Sequence, residues 1–95
     1  MSILEIYEGA IYYFDKAYSY AKNKKYSQAM NLLTKGYKKI RDTALIESTK
    51  ARQYTEVAVN KIQNEKHEEA VEMIGKLKLT VEIWQKNNII KDNQF

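Results

Sequence analysis

Residues 10–40, AIYYFDKAYSYAKNKKYSQAMNLLTKGYKKI, carry two apolar stripes separated by a short polar break. Ala10, Tyr13, Ala17 and Tyr20 step by three and four, as do Ala29, Leu33, Gly36 or Tyr37, and Ile40, which places each set on one side of a helix. Between them Asn23, Lys24 and Lys25 interrupt the pattern, so the stretch reads as two helices folded back on each other. Upstream, Ile3 and Ile6 extend the first stripe, and Ser2 followed by Glu5 has the spacing of a capping box, giving helix 1 over residues 3–22.

Working downstream, Arg41, Asp42 and Thr43 contain no helix breaker, and only Asp42 or Thr43 offers an amino-terminal cap. Helices 2 and 3 are therefore either separate or fused, and fusion would build a domain-swapped dimer. If separate, helix 3 buries Ala44, Ala51, Tyr54, Ala58 and Ile62. After a turn at Gln63 to Lys66, helix 4 buries Ala70, Ile74, Leu77, Val81 and Trp84. Asn87 and Asn88 are expected to stop it, leaving one domain over 1–88 and a loose tail over 89–95. No proline and three glycines leave little punctuation for strands. The fold class is all-α, an antiparallel four-helix bundle built from two helical hairpins. Shifted by 41 residues the chain matches itself, Ala10 with Ala51, Tyr13 with Tyr54, Ala17 with Ala58, Asn23 with Asn64, Tyr26 with His67, Ala29 with Ala70 and Leu33 with Ile74.

Composition limits the function. Ninety-five residues form one small core without an interdomain cleft, and the lack of cysteine removes disulfides and thiolate chemistry. The amino terminus has acids where a signal peptide carries lysine, and no apolar run is long enough to span a membrane, so a cytoplasmic protein is expected. The single histidine, His67, lies among Glu65, Glu68, Glu69 and Glu72 at a helix start, and its i+4 neighbour is Val71, so it lacks a metal-binding companion. No phosphate loop, nucleophile triad or paired-carboxylate motif is present, and the reading is of a chain without enzyme activity or cofactor.

The net charge of +4 conceals a polarised molecule. Lys16, Lys22, Lys24, Lys25, Lys35, Lys38, Lys39 and Arg41 fall between residues 16 and 41 with no acid among them. Residues 42–72 hold seven acids against four bases. Such polarity concerns partners more than folding. Five of the eight tyrosines lie on helix 1, and Tyr12 and Tyr18 fall off its apolar stripe, where an amphipathic ring suits an interface.

At Tyr13, Ala17, Tyr20, Ala29, Leu33 and Gly36, with Asn23-Lys24-Lys25-Tyr26 as the inter-helix turn, the chain resembles a tetratricopeptide repeat or the related microtubule-interacting and trafficking domain. Lys16 and Arg41 depart from the leucine and proline of the former, and the 41-residue shift exceeds its repeat length of about 34. The resemblance implies a module that holds a partner's helix or extended peptide in a groove. Lys16, Lys22, Lys35, Lys38, Lys39 and Arg41 would form a basic rim for an acidic protein segment, and Tyr12 and Tyr18 would make apolar contact. The alternatives are a non-specific nucleic-acid binder, since lysine and aromatic rings serve phosphates and bases, a structural subunit of a larger assembly, and a homodimer.

Overall fold

The computed structural model of the chain describes residues 3–41 and 46–93, with side chains from 4 to 41 and from 47 to 87. Four helices follow in order, α1 (Ile3–Lys22), α2 (Tyr26–Arg41), α3 (Ile46–Gln63) and α4 (His67–Asn93). Each helix packs on two neighbours, α1 on α2 and α4, and α3 on α2 and α4, which closes an elongated four-helix bundle of 47 × 21 × 20 Å. Because α2 and α3 lie side by side, they are not one continuous helix. The capping box at Ser2, the proposed caps Asp42 and Thr43, and the inward placement of Ala44 fall outside the described residues.

The 41-residue self-match is a structural repeat. Every buried position from Ala10 to Ile40 has a buried counterpart 41 residues on: Ala10 and Ala51, Phe14 and Thr55, Ala17 and Ala58, Ala21 and Ile62, Ala29 and Ala70, Leu33 and Ile74, Gly36 and Leu77, Ile40 and Val81. The turns repeat too. Lys24 and Glu65 both adopt left-handed backbone at φ 62°. Around Lys24, the Lys25 N–H donates to the Tyr20 carbonyl (2.8 Å) and the Lys24 N–H to Ala21; around Glu65, Lys66 donates to Lys61 (2.9 Å) and Glu65 to Ile62. Both are Schellman endings, which satisfy the last carbonyls of a helix and reverse the chain. The hairpins are thus related by an approximate twofold along the bundle, and the related rings Tyr26 and His67 meet edge to face at one end, with centroids 3.9 Å apart.

One core layer breaks this symmetry. A methyl group at Gly36 would lie 2.6 Å from the Phe14 ring, so α2 carries no side chain where α1 inserts its largest buried aromatic but one. In the second hairpin the sizes are reversed, with Thr55 at Phe14's position and Leu77 at Gly36's. Big groups thus come from α1 and α4, small ones from α2 and α3, and interdigitation keeps the layer filled.

Three expectations are corrected here. The buried stripe of α1 is Tyr7, Ala10, Phe14, Ala17 and Ala21, while Tyr13 and Tyr20 are half-buried at its flank. Both stripes have the helical period, and adjacent aromatics at 13 and 14 leave the period alone undecided. The cavity over Gly36 selects Phe14, which has no hydroxyl to satisfy. Likewise Thr55, not its neighbour Tyr54, takes the inward place on α3. At the other end, Asn87 and Asn88 do not stop helix 4, which continues to Asn93. Asparagine costs a helix only up to about 0.7 kcal/mol per residue, and neither glycine nor proline follows to break it.

Gly36→Ala should destabilise the bundle by about 1–3 kcal/mol through overpacking, despite alanine's higher helix propensity; Phe14→Leu in the same chain should recover part of that loss in urea titrations, as coupled neighbours do. The Thr55 hydroxyl is buried without a hydrogen-bond partner, whereas exposed Thr34 and Thr80 each donate to the carbonyl four residues back. Thr55→Val should therefore raise stability by about 1 kcal/mol, since it removes an unsatisfied group without changing shape; a lower thermal midpoint would refute this account of the site.

Candidate functional site

The helix positions that do not face the core decide what each side of the bundle offers. On α1, residues 9, 13, 16 and 20 turn towards α2, and on α2 residues 28, 32, 35 and 39 turn towards α1. Lys16, Tyr20, Gln28, Asn31 and Leu32 line a shallow groove there. At one end the aliphatic stem of Lys39 runs beside Gly9, where an added methyl would meet its Cδ at 3.5 Å. Lys35 projects one turn away on the same edge of α2, and Lys38 stands exposed on the helix's outward face.

The lysines of this groove lean on rings. The Lys16 ammonium lies 4.8 Å from the centroid of Tyr12, which is itself 56% exposed and set edge to face on Tyr13. A hydrogen bond to Tyr12 holds the Lys16 ammonium above its ordinary pKa. Lys25 lies 5.9 Å from the Tyr20 centroid. Cation–π contacts of this kind orient an ammonium without neutralising it, so the field of the groove stays positive. Tyr20, Gln28 and Leu32 join the surface although the sequence reading did not select them; Tyr20 four residues after Lys16 and Leu32 three before Lys35 were the available signal, and Gln28 follows as the residue four before Leu32.

The eight residues proposed from sequence do not share one face. Tyr12, Lys16, Lys35 and Lys39 surround or approach the α1–α2 groove, with Lys38 beside it on α2 and Arg41 exposed at the helix's last residue. Tyr18 and Lys22 belong to the opposite side of α1. There Lys22 lies 5.2 Å from the Tyr18 centroid, and Tyr18 lines a hollow with Gly75, Lys78, Leu79 and Glu82 of α4. The reason is angular: Lys16 and Lys22 are six residues apart, which on a helix leaves them about 120° apart around the axis.

The α1–α4 side has a different electrostatic character. Lys78 Nζ pairs with Asp15 at 2.9 Å, tying the two helices together. That hydrogen bond is the main reason the Lys78 pKa is raised, with partial burial opposing it. His67, expected to have no metal-binding companion, packs on Tyr26 at the mouth of a hollow shared with Ala21, Lys22, Lys24, Glu68 and Val71. Among the described residues no helix is long and apolar enough to cross a membrane.

No model of a known protein family, no curated protein and no solved structure matches this chain.

A raised lysine pKa means that the contact stabilises the fold below the ordinary lysine range and ceases to do so as pH climbs through the folded-state value. Asp15→Asn should bring Lys78 back towards its ordinary pKa in an NMR titration of the lysine side chains, and should flatten the loss of thermal stability over that alkaline interval. An unchanged Lys78 titration would show that Asp15 is not the cause.

Proposed function

We propose that the chain is a non-catalytic protein-interaction module that receives an acidic segment of a partner, helical or extended, along the α1–α2 groove. The observation that carries this reading is the absence of any acid from residue 16 to residue 41, combined with a groove whose Lys16 lies over the Tyr12 ring and beyond which Lys25, in the α1–α2 turn, approaches Tyr20. Lys16 lines the groove with Leu32 and Tyr20 for apolar contact and Gln28 and Asn31 as amides for backbone or carboxylate, and Lys35 and Lys39, farther along the same edge of α2, extend its cationic rim. Positive rims of this kind steer acidic ligands and disfavour basic ones, while the apolar floor limits how much affinity depends on charge. The resemblance of the hairpin to tetratricopeptide and trafficking-domain modules supports the same use of a helix–helix groove. Seven lysines and one arginine favour this reading over base recognition, which relies on arginine's paired donors.

A labelled amphipathic peptide bearing Glu and Leu, followed by fluorescence anisotropy, provides the test. Lys35→Glu with Lys39→Glu should weaken binding at least about tenfold, and the unaltered protein should lose affinity only gradually with salt because apolar contacts remain. A single-stranded oligonucleotide that binds more tightly than the peptide, with affinity falling log-linearly in salt, would replace this reading by the nucleic-acid one. Peptide affinity unaffected by the double charge reversal would remove the groove from consideration.

A further inference from the structure

The outward face of α4 carries apolar side chains that the bundle does not use. Leu79 is 58% and Ile83 49% exposed, one turn apart and opposite the buried line Ala70, Ile74, Leu77 and Val81. The approximate twofold supplies an internal control. The position equivalent to Leu79 on α2 is Lys38, which is exposed, and the sequence position equivalent to Ile83 is Asp42. One four-helix framework thus accepts lysine where α4 has leucine; Leu79 borders the hollow beside Tyr18 yet stays 58% exposed, so the bundle covers only part of it. Apolar residues accordingly spread around α4, whereas on α2 they gather on the core side, and a helix apolar on several sides is one that expects cover on several sides.

What would cover it is written in the face itself. The residues i±3, i±4 and i±7 from Leu79 are Glu72, Gly75, Lys76, Glu82, Ile83 and Lys86. In an antiparallel pair of α4 helices with the twofold at Leu79, Leu79 meets its own copy, Gly75 faces Ile83, Lys76 faces Glu82 and Glu72 faces Lys86. The Leu79 contact lies on the axis and occurs once, and each of the other three occurs twice, as an isologous interface requires. Gly75 lies beneath the Tyr18 ring of α1, where an added methyl would meet the ring at 3.2 Å, so the apolar contact of the pair comes from Leu79 and Ile83, and both charge pairs have opposite sign. Lys76, now 5.4 Å from the Tyr54 centroid, is held near the rim where the carboxylate would arrive. The corresponding face of α2 holds Lys35, Lys38 and Arg41, so two copies brought together there would repel.

We propose that α4 is a homodimerisation surface, and that two copies of this chain associate through antiparallel α4 helices centred on Leu79. The inference uses a different face from the α1–α2 groove, so either can fail without the other. In the dimer the apolar ridge is covered while both basic grooves remain outside the interface, which makes the assembly bivalent towards acidic partners.

Sedimentation velocity over a wide concentration range, with the full chain, tests the proposal. The unaltered protein should convert from monomer to dimer within the micromolar range. Leu79→Lys copies the residue already tolerated on α2, so it should keep the helical circular dichroism and melt as the unaltered protein does when dilute enough to be monomeric, yet sediment as a monomer at every concentration. Glu82→Lys should raise the dimer dissociation constant at least about tenfold by opposing Lys76 of the second copy, and adding Lys76→Glu should restore it to within about threefold. A chain that stays monomeric at the highest soluble concentration overturns the proposal. So does a folded Leu79→Lys variant that still dimerises, or a charge swap that fails to restore association.

Discussion

The bundle depends on a side chain that is missing. Gly36 lets α2 come close enough to α1 for the Phe14 ring to fill the centre of the core, and burial of such a ring is worth roughly 2–3 kcal/mol. In a chain of this size, where total stability is on the order of 5–15 kcal/mol, one layer of this kind is a large share. The second hairpin answers with Leu77 on α4 and Thr55 on α3, so the layer is filled from two adjacent helices and left thin on the other two. Elsewhere the core is close to symmetric, with alanines at Ala10, Ala17, Ala51 and Ala58 admitting Leu33, Ile40, Ile74 and Val81 from the facing helices.

A repeated hairpin with one asymmetric layer explains how the outside becomes differentiated. Both hairpins present an outward helix, α2 and α4, in equivalent places. Because the core is satisfied in the same way in each, the outer residues are free of packing constraints and their chemistry can diverge. On α2 they are lysines beside a groove lined by tyrosine and leucine; on α4 they are leucine and isoleucine between charges of opposite sign at equal spacing from Leu79. One framework thus carries a lysine-rich surface on α2 and an exposed apolar one on α4.

Much of the architecture was legible before any coordinates. The steps of three and four, the break at Asn23 to Lys25 and the 41-residue self-match give four helices in two hairpins, because helical period and the absence of proline are local properties. The inward choice between Tyr13 and Phe14 was not legible: both lie on the wide apolar side of α1, and only the space above Gly36 on another helix distinguishes them. The stop expected at Asn87 and Asn88 failed for the opposite reason. Asparagine is a weak preference, and a helix already supported by packing continues through it. Among the surface residues, Lys16, Lys35, Lys38 and Lys39 were readable as a group from charge alone, but Tyr18 and Lys22 were assigned to the same surface and belong across the helix beside Gly75 and Leu79.

The sequence by itself determined the helical stripes, the fold-back at each polar turn and the sign of the charge each half carries, since all three follow from residue type and spacing along one chain, whereas the separation of α2 from α3 was left open. Tertiary structure alone decided which ring enters the core, how the basic residues divide between the two sides of α1, and that Leu79 and Ile83 are left outside. Those outcomes depend on how one helix is rotated against another, and rotation is fixed by the fit of side chains on different helices, a quantity that no single helix contains.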